Sequence, residues 1–322
     1  MLSNNNFPKL KLGVSSCLLG NKVRFDAGHK QSTFLLKTLT RFFDFETFCP
    51  EVAIGLGIPR PPIRLIQKNK EDGETYYAVD VKDPELDYTE QLHNYAEMVA
   101  ASHLSEISGY IFKKDSPSCG MERVKVYSPE GQFAHKDGVG IYAGIIKEHF
   151  PHMPMEEEGR LNDEKLRENF LMRVFLYSDW QALIKSGITA HGLVNFHAEQ
   201  KYLFMAHDQH NARQLGQMVA RASTSDINEL AEEYISLAMT LLKKRPNRDR
   251  HTNALQHIMG YLRQDIDQDD RQELLQSIMS YKKKEVPLVM PLTLLKHHFA
   301  RHPNQYIAKQ RYLSPFPVEL RW

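Results

Sequence analysis

The chain has 322 residues, with 41 Lys and Arg against 40 Asp and Glu, 42% hydrophobic residues and 25% charged ones. This length favours two domains, and the composition excludes disordered, collagenous and coiled-coil classes. The near-neutral balance excludes a chain-wide electrostatic grip on nucleic acid or on anionic membranes. No secretory leader pattern and no apolar run of about 18 residues is present, so a soluble, cytoplasmic protein without a membrane partner is expected. Three cysteines, Cys17, Cys49 and Cys119, are too few for a disulfide framework in so long a chain. They leave three readings: buried structural thiols, one catalytic thiol, or a metal or cluster site.

In chain order, residues 10–15 (LKLGVS) read as a buried strand that runs into SCLLGNKVRFDAGHK. The spacing predicts a helix over 32–43 with Ser32 as its N-cap, then a short strand over 45–48 that stops at CPE. GLGIPRPPIRL reads as a loop. It is not a phosphate loop, because it lacks the GK[ST] end and a following helix. YYAVDV (76–81) alternates like a strand, and 88–102 is helical with Leu92, Tyr95, Ala96, Val99 and Ala100 on one face. Residues 109–113 form a strand leading to KDSPSCG, 123–127 read as an edge strand, and 139–150 read as a helix. Such alternation predicts a Rossmann-like parallel α/β sheet.

The stretch PHMPMEEEGRLNDEK, 151–165, is acidic, broken by proline and without an apolar period, so it reads as a linker. Beyond it nearly every segment has a helical period, which predicts an all-α C-terminal domain. The expected division is therefore 1–155 and 156–322. In the second part Phe196, Leu203 and Phe204 read as core. His197 and Lys201 lie one turn apart; His207 and His210, at i and i+3, could share a metal but have no supporting carboxylate or thiol spacing, and a helix surface or RNA phosphate contacts suit them better. Residues 1–150 hold 18 basic and 19 acidic residues, whereas 240–322 hold 15 basic and 8 acidic. The runs KKRPNRDRH and KKK, followed by Tyr306, Tyr312, Phe316 and Trp322, are either solvated helix faces or an RNA-binding surface.

The chemistry is expected at the cysteines, because each follows a predicted strand. In an open parallel sheet the carboxyl ends of the strands share one edge, where ligands bind. Three thiolates meeting there could join His29 or His135 in a zinc site. They could instead hold an iron–sulfur cube that normally takes four cysteines, leaving one iron open to soft donors. Buried thiols with no ligand are the bland alternative. Glu51, stiffened by Pro50, is placed to orient or deprotonate a water, unless it is a solvated loop acid. Ser15, Ser16, Ser116 and Ser118 make the surroundings polar. Arg24, Asp26, Lys113 and Lys114 are candidates for substrate contacts or for surface ion pairs, and Gly120 would let the backbone pass close to a cofactor.

VSSCLLGNKVRFDAGHK, FCPEVAIGLGIPRPP and KKDSPSCGMERVKVY together resemble the thiouracil desulfidase family over about residues 9–150. NFHAEQKYLFMAHDQHNARQLG resembles the helical domain often fused to it, and the two-part arrangement is similar to that of the bacterial tRNA 4-thiouridine desulfidases. The resemblance implies a [4Fe-4S] cluster held by Cys17, Cys49 and Cys119, with one iron not ligated by protein. It implies Glu51 as the catalytic carboxylate and a catalytic serine, Ser116 ahead of Ser118. It further implies non-redox desulfuration of 4-thiouridine in tRNA to uridine, with the substrate sulfur bound at the open iron, sulfide released and the helical part binding RNA. Free thiouracil or a thiolated nucleoside is the alternative substrate, and a non-enzymatic iron–sulfur RNA-binding sensor the alternative role.

Overall fold

The computed structural model describes residues 7–70 and 73–320. Pro8–Phe170 form one compact unit, and the residues from Leu171 onward, joined by Phe7, form a second. In chain order the first unit contains β1 (Leu10–Ser15), α1 (Thr33–Lys37), β2 (Phe43–Phe48), α2 (Pro50–Ala53), β3 (Ile63–Lys70) and β4 (Gly73–Asp80). It continues with α3 (Thr89–Ser102), β5 (Tyr110–Phe112), β6 (Val124–Tyr127), β7 (Phe133–Gly138), α4 (Ile141–His149) and β8 (Met155–Glu157).

Four strands make a parallel sheet in the order β2-β1-β5-β8. Leu12, Val14, Ile111 and Phe112 in it are fully buried, as expected of a sheet covered on both faces. The chain winds from β1 outward to β2, then returns to place β5 on the other side of β1. The β1–β5 gap is therefore where the winding reverses, the usual place for a ligand crevice in such sheets.

The structure departs from the sequence reading in three places. The segment 151–165, expected to be a linker, supplies β8, the fourth parallel strand, so a boundary at 155/156 would cut that strand. Its apolar period is hidden because Glu156 and Glu157 are themselves buried. Glu156 accepts from Arg160 Nε at 2.6 Å and Glu157 from Met121 N at 3.0 Å, which makes their burial tolerable. Residues 124–127 do not edge the parallel sheet. They lie inside a second, mixed sheet, β4-β3-β6-β7, in which β3 and β7 had no strand signal. Finally, the helix over 32–43 is cut short. Ser32 caps α1 as expected, accepting from Leu35 N, but Thr40 Oγ1 bonds back to the Leu36 carbonyl and the chain passes through a 3-10 turn into β2.

The second unit is helical, and among the described residues it holds no strand. α5 (Glu164–Lys185) begins in the first unit and continues into the second; α6 (Ala190–His207), α7 (Gln209–Ala220), α8 (Ile227–Lys243), α9 (Arg248–Met259), α10 (Gln268–Lys282), α11 (Val289–Arg301) and α12 (Gln305–Ala308) follow. Thr189, Asp208, Asp226, Asn247, Asp267 and Asn304 each accept first-turn amides, which fixes where these helices start. Phe196, Leu203 and Phe204 are core, and Trp180 stacks on Tyr234 at 5.8 Å. His207 and His210 do not form a pair. Asp208 ends α6 and caps α7, His207 is buried with Nδ1 donating to the Lys244 carbonyl at 2.7 Å, and His210 is exposed on the next helix. No helix among the described residues is long and apolar enough to cross a membrane.

Candidate active site

Each cysteine leaves a strand of the parallel sheet at its carboxyl end. Cys17 lies in a 3-10 turn directly after β1, Cys49 is the N-cap of α2 after β2, and Cys119 closes the loop after β5. All three line one cavity of about 310 Å³, together with Ser15, Ser16, Glu51, Arg60, Ser116 and Ser118. The sheet thus brings together residues that are far apart in sequence.

Glu51 is gripped at both oxygens. Oε1 accepts from Ser118 Oγ at 2.7 Å; Oε2 accepts from Arg60 Nη2 at 2.6 Å and Nε at 3.0 Å. Arg60 is buried, and two more of its donors go to the Gly57 and Val23 carbonyls, both at 3.0 Å. Ser116 Oγ lies 3.0 Å from Ser118 Oγ and accepts from Cys119 N at 3.1 Å. A hydroxyl has one proton to donate. With Ser118 donating to Glu51, Ser116 donates to Ser118, and a chain Ser116–Ser118–Glu51 ends on the arginine.

The serine loop is pinned to the start of α4. Ile141 N donates to the Pro117 carbonyl, Ala143 N to the Ser118 carbonyl and Gly140 N to the Gly120 carbonyl. A Cβ on Gly140 would sit 2.6 Å from the Ser118 carbonyl carbon and oxygen, so this approach requires glycine. Gly120, expected to admit a cofactor, instead makes room for the Val124 side chain and the Ser116 carbonyl.

Burial disfavours the thiolate at all three cysteines. Burial pushes the Cys17 thiol up to about 11, with nearby Cys49 adding to the rise. Burial also raises Cys49, and it raises Cys119 further, with Cys49 and Glu51 adding to that. A catalytic thiol needs the opposite shift. Three soft, dry donors suit a strongly cationic sulfur-loving group. Among the described residues no three His, Cys, Asp or Glu side chains are close enough together to hold one metal ion. A polynuclear cluster, which gives each thiolate its own metal, fits three cysteines spread around a cavity better than a single zinc ion does. Neither expected fourth ligand lines the cavity. His29 is exposed and its Nδ1 accepts from Gln31 N at 3.2 Å, while His135, on β7, is held by Gln67 and Asp137.

Among the candidate substrate contacts, Arg24, Lys113 and Lys114 line the cavity and Asp26 does not. Lys113 is locked to Glu158 at 2.6 Å, which makes it structural; Arg24 reaches Asp26 at 3.6 Å. The sequence reading missed Arg60 and Glu158. Arg60 left no signal in the sequence, because its burial, and with it the need of a buried guanidinium for an acid, shows only in the fold. Of the expected base-stacking set, Tyr312 and Phe316 are core residues, Tyr306 stacks on Tyr261 at 5.6 Å, and Trp322 lies outside the described residues. Part of the basic tail is also structural: Lys244 pairs with Asp208 at 2.6 Å, Arg250 bonds the His207 carbonyl, and Arg248 lies over the Tyr281 ring at 4.6 Å.

Thiol-bearing strand ends around a carboxylate at a switch point define an open α/β enzyme site. Comparison with known proteins sharpens this. Residues 12–158 match a family model described as 2-thiouracil desulfurase, and residues 201–317 match one described as a protein of unknown function (DUF1722). The uncharacterized protein YbgA of Escherichia coli (strain K12) is 33% identical over 158 residues, 49% of this chain and 94% of that protein. The uncharacterized protein YbbK of Bacillus subtilis (strain 168) is 31% identical over 153 residues, 47% of this chain and 97% of that protein. A solved structure described as the [4Fe-4S]-dependent thiouracil desulfidase TudS is 30% identical, covers 48% of this chain and 95% of its own, and superposes with a TM-score of 0.38. Residues 12–158 form a 2-thiouracil desulfurase-like domain, residues 201–317 a DUF1722 domain, and the first makes the chain an enzyme of the desulfidase type.

Proposed function

We propose that this protein replaces the sulfur of a thiolated uracil by oxygen from water, releasing hydrogen sulfide without net oxidation or reduction, and that its substrate is 4-thiouridine in tRNA. The observation that carries the chemistry is the single cavity lined by Cys17, Cys49, Cys119 and the doubly held Glu51. Cys17, Cys49 and Cys119 would hold a [4Fe-4S] cluster, which when bound supplies one iron without a protein thiolate, a soft Lewis acid for the substrate sulfur.

The protein's own groups handle water and protons. Arg60 fixes the Glu51 carboxylate from behind, so that Oε1 keeps its lone pairs toward Ser118 and the cavity. Glu51 orients the attacking water and accepts its proton. Once Ser118 and Ser116 turn their hydroxyls, protonated Glu51 donates to Ser118 and Ser118 to Ser116, so the reversed chain delivers that proton to the departing sulfur. Ser116, the less buried of the two, is the hydroxyl that faces substrate. In the balance, one C–S double bond and one water give one C–O double bond and one H₂S. The tRNA reading is supported by the basic surplus of 240–322 and by the Arg24, Lys30 and Lys114 cations at the cavity. A base stacked in folded tRNA must be flipped out, at a cost of about a few kcal/mol, which a second RNA-binding unit helps to offset.

Anaerobic reconstitution with iron and sulfide, followed by thiolated tRNA or free thiouracil without reductant, tests both parts. Loss of the thiolated base with stoichiometric sulfide is expected for tRNA. Turnover of thiouracil alone would keep the chemistry and overturn the tRNA substrate. No sulfide from either would overturn the desulfidase reading.

A further inference from the structure

Next to the cysteine cavity the second sheet carries a shallow groove of about 560 Å³. It continues from the cavity, because Ile63, Asp115 and Pro117 line both. Its origin is strand alternation. β3 and β6 pair in parallel, with Leu65 opposite Val126 and Ile66 opposite Tyr127. Ile63, Leu65, Val124 and Val126 pack in one core with Ala78 and Leu92. The intervening Arg64, Lys125 and Tyr127 therefore belong to the other face, and with Lys136 of β7 they line the groove.

The chemistry of this face is specific. The Arg64 guanidinium lies over the Tyr127 ring at 5.6 Å, and its Nε is buried without a hydrogen-bond partner. Tyr127 meets Phe133 edge-on at 6.2 Å, and Phe133 is 59% exposed. Among the described residues no carboxylate pairs with Arg64 or Lys125, whereas Lys136 shares Asp115 with Lys114, at 3.5 and 3.9 Å. Three cations, one carboxylate and two aromatic rings at this groove match what single-stranded RNA requires: cations for its phosphates, and rings or a guanidinium plane for an unstacked base. A free base in the cavity needs none of them.

We propose that this groove holds the RNA strand flanking the reacting nucleotide, with Arg64, Lys125 and Lys136 taking phosphates and the Tyr127–Phe133 edge offering a stacking surface. The proposal rests on the desulfidase reading of the adjoining cavity and makes the catalytic unit itself, not only the helical one, a reader of polynucleotide.

The test uses the full chain. Anisotropy with a fluorescent single-stranded oligouridylate, over a series of salt concentrations, needs no cluster. Lys125→Ala removes one cation from the phosphates, and Arg64→Ala/Lys125→Ala removes two. Each removal should flatten the log–log salt slope by about 0.7, and the double variant should bind about ten-fold more weakly. In reconstituted protein, turnover of thiolated tRNA should fall with binding, while turnover of free 4-thiouridine stays at the wild-type rate. Wild-type-like RNA affinity and slope in the variants would overturn the groove and leave the desulfidase reading intact. An equal loss with 4-thiouridine monophosphate would overturn it too, by making the groove a mononucleotide phosphate site. A wild-type protein that releases sulfide from the free nucleoside but binds no RNA would overturn the tRNA substrate and the groove together. RNA binding that responds to the variants in a protein releasing no sulfide would break the catalytic reading alone. Should the double variant fail to fold, exposed Lys125 carries the test as a single substitution.

Discussion

Both oxygens of Glu51 are occupied in the free protein, and that determines what its neighbours do. Arg60 touches no reacting atom in the proposed mechanism; it is a positioning residue for the carboxylate. Because the pair is almost fully buried, with side-chain exposures of 3% and 15%, removing one partner strands the other. Arg60→Ala should therefore lower folding stability by about 3 kcal/mol or more, read from urea unfolding of the cluster-free protein. Arg60→Lys should recover little of it, since one ammonium cannot replace the two-nitrogen grip. Glu51→Gln keeps the shape and leaves the thiols alone. It should bind iron like the wild type and lose about a hundred-fold or more in sulfide release; equal turnover would remove Glu51 from the mechanism. Glu51 was legible in sequence because an acid beside a cysteine at a strand end has an obvious use. Arg60 was not, because a side-chain pairing that crosses a proline-rich loop leaves no period to read.

At the scale of elements, the site depends on how the Ser116–Cys119 loop sits on α4. Three backbone bonds and one glycine hold it there, and the glycine has no slack. Gly140→Ala forces a methyl against backbone, which cannot rotate away as a side chain can. The loop must shift, carrying Ser118 off Glu51 and Cys119 out of the cavity. The expected result is reduced iron per chain after reconstitution, with far-UV circular dichroism unchanged. Full iron content would show that the loop tolerates the shift. The parallel strands that carry Cys17, Cys49 and Cys119 were readable from apolar runs, and so was the convergence of their ends. β8 was not, because two of its three buried positions are glutamates whose partners, Arg160 and the Met121 amide, lie outside the strand. β7 was missed for the opposite reason: FAHKDG is almost wholly exposed, so no alternation marks it.

For the whole molecule, the helical unit was the most legible part, since the helical period of its apolar residues is a local signal. Its pH response is a non-local property. Burial pushes His197 and His207 down to about 4 and His251 down to about 3, from an ordinary 6.5. Each is carried neutral in the folded state, so its contribution is complete above about pH 6.5 and is lost as pH falls toward 4, where the unfolded chain takes up protons first. Asp179, pushed up to about 6 by burial, works the other way: its cost is present above that pH and eases on acidification. Three histidines outweigh one aspartate, so the urea midpoint followed by tryptophan fluorescence should fall between about pH 7 and pH 5; a rise would show that Asp179 dominates. In the first unit the three cysteines have a mechanical consequence as well as a chemical one. A cluster bound to Cys17, Cys49 and Cys119 would cross-link the tails of β1, β2 and β5, closing two consecutive loops of chain and stripping entropy from the unfolded ensemble much as disulfides do. Iron loading should therefore raise the melting temperature of Pro8–Phe170, and chelation should return that unit to a looser state before any catalytic group is altered.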